Sequence, residues 1–322
     1  MPPSGRATRS GERPTGRQSK NLQAPLRMDI TKNFIRAKRP CAEGFRWYVR
    51  NARHDSTYQE LLDALVDAGR VGDARWLLSQ FGPTDAVLAL DDVEAEAIVF
   101  AGTVKIRGSI DVESVLCAGR TIHAGGSIRA GQDIEAGEDL RCDGGLRGDG
   151  AISVGGSIRA GWSVTTAGRL TCGGNLRVEG DLQCADALVI EGNAQVAGDL
   201  EATEVVRCSK GLRVTGAVRC RNGIRAANGI EVGGSIASGS HIDAGWGIRA
   251  GGAIRAGGAI RAGESLHAGD EISAGPGYGI YAGLDIRADA WEACASVQAA
   301  TRPAGLRSGW WAGSPLAATA GS

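Results

Sequence analysis

Thirty consecutive positions in one six-residue frame, from Ile98 through Ile128, Leu176 and Leu212 to Ile272, carry an aliphatic residue, and only Ala194 among them is small. Two residues after each comes a small or apolar partner, such as Ala124, Cys142, Val154, Cys172 and Val178. In a strand, positions i and i+2 point to one side and i+1 to the other. The middle position is often charged, as in Arg129, Glu135 and Arg141. Each hexad therefore predicts a short strand with two inward residues, closed by a corner.

Glycine supplies many of those corners, often in pairs such as Gly125–Gly126 and Gly251–Gly252. Fifty glycines in 322 residues form no collagen period, and their even spacing among aliphatics argues against a disordered linker. A three-residue strand cannot bury its apolar side alone. Stacking coils does so, each strand pairing with its copies above and below. Three hexads close an eighteen-residue coil. The expected fold is an all-β solenoid, a three-sided parallel β-helix with a small N-terminal α-helical module. Over 98–275 this gives roughly ten coils and a rod of ~48 Å at ~4.8 Å per coil.

The I-x-A-G-x-x phrase, as in Ile128–Gly131 and Ile254–Gly257, resembles two groups of bacterial β-helices. One is the bactofilins, polymer-forming cytoskeletal proteins; the other is the solenoid of flagellar assembly protein A. The resemblance covers about residues 98–275 and implies a solenoid with a scaffold role. Left-handed hexapeptide acyltransferases share the period but place their small inward residue two before the aliphatic. Here it lies two after, which favours right-handed winding.

Four segments are expected: a basic disordered arm at 1–27, a helical hairpin module or N-terminal cap at 28–95, the parallel β-helix at 96–275, and an aromatic cap and tail at 276–322. Residues 1–39 hold ten Lys or Arg against Glu12 and Asp29, so the rest of a formally neutral chain is acidic. The arm reads either as a polyanion-binding extension or as a segment upstream of a start at Met28. Between Cys41 and Phe81 the pattern turns helical. Cys41, Gly44 and Trp47 form C-x-x-G-x-x-W, which looks like a helical module that precedes other bacterial repeat arrays. Thr57 and Glu60 suit a capping box, Gly69 a helix stop and Asp73 the next N-cap, with Gly82–Pro83 ending the pair.

The four histidines, His54, His123, His241 and His267, do not converge; His123 and His267 share a face but stand eight coils apart. No metal site, cofactor site or catalytic residue is expected. Twenty-nine unbroken intervals of six leave no room for the inserted loops on which pectin-lyase-type β-helices build active sites. Of the eight cysteines, Cys172 and Cys208, like Cys184 and Cys220, occupy small inward slots and share a column but skip a coil, too far for a disulfide. Unpaired thiols fit the cytoplasm. No run of eighteen apolar residues predicts a membrane span.

Two candidate surfaces remain. In the eighteen-residue register one face carries Arg141, Arg159, Arg177, Arg213 and Arg249, a possible anion- or partner-binding ladder, equally readable as a solvated face. Trp291, Trp310 and Trp311 form a candidate cap or partner site. The function expected is a non-catalytic structural or interaction scaffold, possibly self-assembling, with a protein partner or another copy; the alternative is nucleic-acid or polyanion binding through arm and ladder.

Overall fold

The computed structural model describes residues 32–52, 56–285 and 289–314; the basic arm, Met28 and His54 lie outside the described residues. The chain folds as a three-sided parallel β-solenoid preceded by four helices. One face has 13 strands, the second 11 and the third 12, and each strand pairs in parallel with the one a coil away. Thirteen strands stacked at ~4.8 Å give a rod about 58 Å long.

The register is eighteen. Ile122 pairs with Leu140 and Leu140 with Ile158 on the first face, while Ile128 pairs with Leu146 on the second and Ile134 with Ile152 on the third. The inward positions of the hexads, except the partly buried Ile98 and Ala274 at the two ends of the frame, are buried in one continuous core running from Val93 to Ala299. Where the second inward residue is polar it finds a carbonyl. Thr166 Oγ1 donates to Gly150 O at 2.7 Å and Ser238 Oγ to Asn222 O at 2.6 Å, so among the described residues no buried hydroxyl is left without a partner.

Corners set a second demand that a hydrophobic frame does not reveal. At Gly125–Gly126–Ser127 the first two N–H groups donate to Ile106 O and Gly108 O of the coil below. The third N–H has no backbone acceptor and takes Ser109 Oγ at 3.2 Å. The same bond recurs up the corner between the third and first faces. There Ser157, Asn175, Asn193 and Gly211 each donate a backbone N–H to the side chain eighteen residues earlier, at 2.7–3.2 Å. Ser, Asn and Asp at the third corner position are therefore hydrogen-bonding rungs.

The solenoid begins before the six-residue frame and ends after it. Strands Val87–Leu90 and Val93–Ala95 form the first two sides. Their partners lie sixteen and seventeen residues on, Leu88 with Val104 and Val93 with Ile110, because the first corners are each one residue shorter. After Ile272 the chain makes a wider turn at Pro276–Gly277, with Gly277 at φ +80, and resumes as strand Ile280–Tyr281. Strands Ser296–Gln298, Leu306–Ser308 and Trp310–Gly313 follow, with the short helix α5 (Trp291–Cys294) between. The segment expected to lack the repeat thus adds four strands to the first and third faces. Among the described residues none joins the second face, whose last strand is Ile272–Ser273.

The helical module comprises α1 (Lys32–Ala37), α2 (Ala42–Asn51), α3 (Tyr58–Asp67) and α4 (Val71–Phe81). Thr57 caps α3 in the expected capping box with Glu60, Gly69 follows α3 at φ +69, and Gly82 closes α4 at φ +77. Asp73 does not cap α4. That helix starts two residues earlier, at Val71, and Asp73 sits in its first turn, ion-paired with Arg70.

Candidate functional site

Three regions offer surfaces for interaction: the seat of the helical module, the two ends of the rod, and the faces.

The module seats on the outside of the third face. Val99 and Cys117 occupy the outward position of their strands, where most coils carry a polar residue, and both are buried in the same apolar cluster as Leu61, Leu62, Leu77 and Leu78. One coil further on, Arg75 of α4 bridges Asp133, at 3.1 Å, and Glu135. These outward apolar residues are the signal in the sequence that this face is covered. Burial, and next Glu135 nearby, drives the Cys117 thiol pKa up.

Gln59 completes the seat. Its side-chain nitrogen donates to Val99 O at 3.0 Å and its oxygen accepts from Ala101 N at 2.9 Å. Strand Ile98–Phe100 is the first of the third face, so one edge has no strand neighbour. The Gln59 amide supplies the donor and acceptor that a preceding coil would have provided. One of the three edges at the N-terminal end is closed in this way. Among the described residues, no strand covers Val87–Leu90 or Val93–Ala95.

At the other end, Trp311 packs against the last layer of the core while Trp310, beside it in the terminal strand, is 51 % exposed. Trp291, on α5, is also partly exposed, and its Nε1 donates to Gly283 O at 3.3 Å. Trp311 covers the core and Trp310 faces out. Strand Trp310–Gly313 ends the first face with one edge unpaired among the described residues.

The arginine ladder stands in register on the first face: Arg141, Arg159, Arg177, then Gln195, Arg213, Glu231 and Arg249. Three of its five arginines are charge-compensated. Arg141 pairs with Asp143 at 3.1 Å, Arg177 with Glu179 at 2.6 Å and Arg213 with Glu231 at 2.6 Å. The carboxylates lie two residues along the chain or one coil away. Only Arg159 and Arg249 carry no ion pair among the described residues.

Cysteine chemistry is quiet. The columns are as read from sequence, Cys172 and Cys208 with Ile190 between, Cys184 and Cys220 with Ala202 between. All eight cysteines are free, six of them buried. Burial pushes the thiols of Cys142 and Cys208 up to about 12. Among the described residues no group of three or more His, Cys, Asp or Glu is placed to hold a metal ion, and no helix is long and apolar enough to cross a membrane.

Residues 133–237, the middle of the rod, match the model of the bactofilin family, described as polymer-forming cytoskeletal. The solenoid is bactofilin-like. Residues 28–81, which include all four module helices, match the model of the YdhT N-terminal domain. No curated protein and no solved structure gives a significant match to the chain. The bactofilin-like rod and the helical module thus match two different family models, and the two are packed together through Val99, Cys117, Gln59 and Arg75.

Proposed function

We propose that this protein is a self-assembling cytoplasmic scaffold whose rods associate through their ends, with the helical module as the element that a partner recognises. The observation that carries the reading is the state of the rod's edges. Strand Trp310–Gly313 at one end and strands Val87–Leu90 and Val93–Ala95 at the other keep one edge unpaired among the described residues. Unpaired parallel edges add strands readily, and here the adding strand can come from another copy.

The match to a polymer-forming family supports the same reading. Contact between unlike ends propagates into an open filament, whereas contact between like ends closes at two copies. Closure of the third face's edge by Gln59 makes the two ends chemically different, which favours a directed contact. Free thiols in buried slots fit a reducing cytoplasm. Polyanion binding along the first face receives less support, because three of the five ladder arginines already hold carboxylates.

Sedimentation velocity across a hundredfold concentration range tests the proposal. Species that grow in steps of the 33.2 kDa chain are expected; a single monomer boundary throughout would refute end-to-end association.

A further inference from the structure

A groove of about 630 Å³ runs along the corner between the third and first faces, over the coils from Asn193 to Ser265. Its origin is legible in the corner rungs. Asp139, Ser157, Asn175 and Asn193 each accept the backbone N–H of the coil above. The next three residues in that column are Gly211, Gly229 and Gly247. With no side chain there, the N–H groups of Gly229, Gly247 and Ser265 have no acceptor among the described residues, and all three residues are partly exposed. The floor of the groove is therefore a row of free donors at the coil spacing.

The fold does not require glycine at two of these positions. A Cβ on Gly229 would meet nothing nearer than Gly247 O at 3.4 Å, and one on Gly211 nothing nearer than Asn193 Oδ1 at 3.4 Å. Neither residue has a positive φ. By contrast, a Cβ at Gly131 would lie 2.0 Å from Glu113 O. Side chains are missing where they would fit, and their absence opens the cavity.

The walls define the ligand. On one side stands Trp246, 49 % exposed, with no bond from its indole nitrogen among the described residues. It offers a flat apolar platform with a polar tip. On the other side Arg213 and Glu231 neutralise each other. Arg249 and Glu264 leave the remaining lining balanced. His267 is bonded to Gln298 at 2.9 Å, and burial lowers its pKa, so its ring adds little charge. A polyanion gains nothing from such a lining. An extended peptide fits poorly too: its same-side carbonyls recur every ~6.6 Å, out of step with donors at ~4.8 Å. A sugar chain presents hydroxyl acceptors on every ring and an apolar ring face for the indole.

We propose that the groove over Gly211, Gly229 and Gly247 binds an uncharged, extended glycan lengthwise, with Trp246 stacking on a sugar ring and the free backbone N–H groups donating to its hydroxyls. Five coils, four steps of ~4.8 Å, give a floor about 19 Å long, enough for several sugars. The test uses the full chain and the β-1,4-linked hexamers of glucose, xylose and mannose in isothermal titration calorimetry, with heparin oligosaccharides as the charged comparison. Two variants report on the site. Gly229→Asn restores a rung like Asn193, bonding the Gly247 N–H while filling the floor, and it leaves thermal stability intact. Trp246→Ala removes the platform. At least one neutral hexamer binds, more tightly than its trimer, and each variant weakens it tenfold or more. Failure of all three hexamers to bind at millimolar concentration overturns the proposal. So does preference for heparin, or binding unchanged in a normally folded Gly229→Asn variant.

Discussion

Replacing Gln59 tests how the module and the solenoid are joined. Its amide makes two bonds to the edge of strand Ile98–Phe100, at 3.0 Å to Val99 O and 2.9 Å to Ala101 N. Val99 and Ala101 are 2 % and 1 % exposed. Gln59→Leu keeps the approximate volume and removes both partners, stranding one buried acceptor and one buried donor. Each such group costs about 1–3 kcal/mol, so the junction should lose ~2–6 kcal/mol. Gln59→Glu keeps the acceptor for Ala101 N but places a carboxylate against Val99 O and near Asp63, which Gln59 now contacts at 2.8 Å. It should be at least as damaging at neutral pH. Urea unfolding followed by tryptophan fluorescence reads the loss, because Trp47 and Trp76 lie in the module. An early transition confined to the helices is expected, with rapid cleavage by trypsin inside the module, after Arg70 or Arg75. If Gln59→Leu unfolds within ~0.5 kcal/mol of the parent, the amide is not standing in for a strand.

Further expectations follow from the corners, thiols and ladder. Gly131→Ala should cost ~1–3 kcal/mol in chemical denaturation, since its Cβ would press on Glu113 O and force the corner to rebuild, whereas Gly229→Ala should be neutral or slightly stabilising; equal losses would contradict the corner geometry. A thiol assay under denaturing, non-reducing conditions should count eight cysteines, and the native protein should react quickly at Cys41 while Cys142 and Cys208, with pKa near 12, stay silent; a markedly lower denatured count would mean disulfides. Exchanging Arg141, Arg159 and Arg177 for Gln should change heparin retention little, because two of the three are compensated; a large loss with a flattened salt slope would restore the anion-binding strip.

The parts of the fold legible in the sequence are those where one physical demand repeats without interruption. Burial of two inward residues per hexad set the frame from Ile98 to Ile272, and with it the pairing of His123 with Arg141 and of Cys184 with Ala202. The first coil escaped because shortened corners put Leu88 and Val93 out of the frame. The last strands escaped because the wide Pro276–Gly277 turn and the excursion through α5 separate partners such as Leu266 and Val297 by 31 residues. Where the module docks was written in outward Val99 and Cys117, a departure from the polar outward positions that only matters once a face is known to need covering. The ladder's carboxylates were also in plain sight at Asp143 and Glu179, two residues on, where alternation along the strand carries them past the corner and beside the arginine. The groove was hidden for a different reason. Glycine is so common at these corners that a run in one column is invisible until the coils are stacked and the missing rungs are seen.

Electron microscopy of the purified full-length chain tests the central claim most directly. The account predicts filaments one solenoid wide, with an axial repeat near the ~58 Å rod plus its contact, that lengthen with concentration and shorten when strand Trp310–Gly313 is removed. A field of discrete single rods at every concentration, unchanged by that truncation, would contradict it.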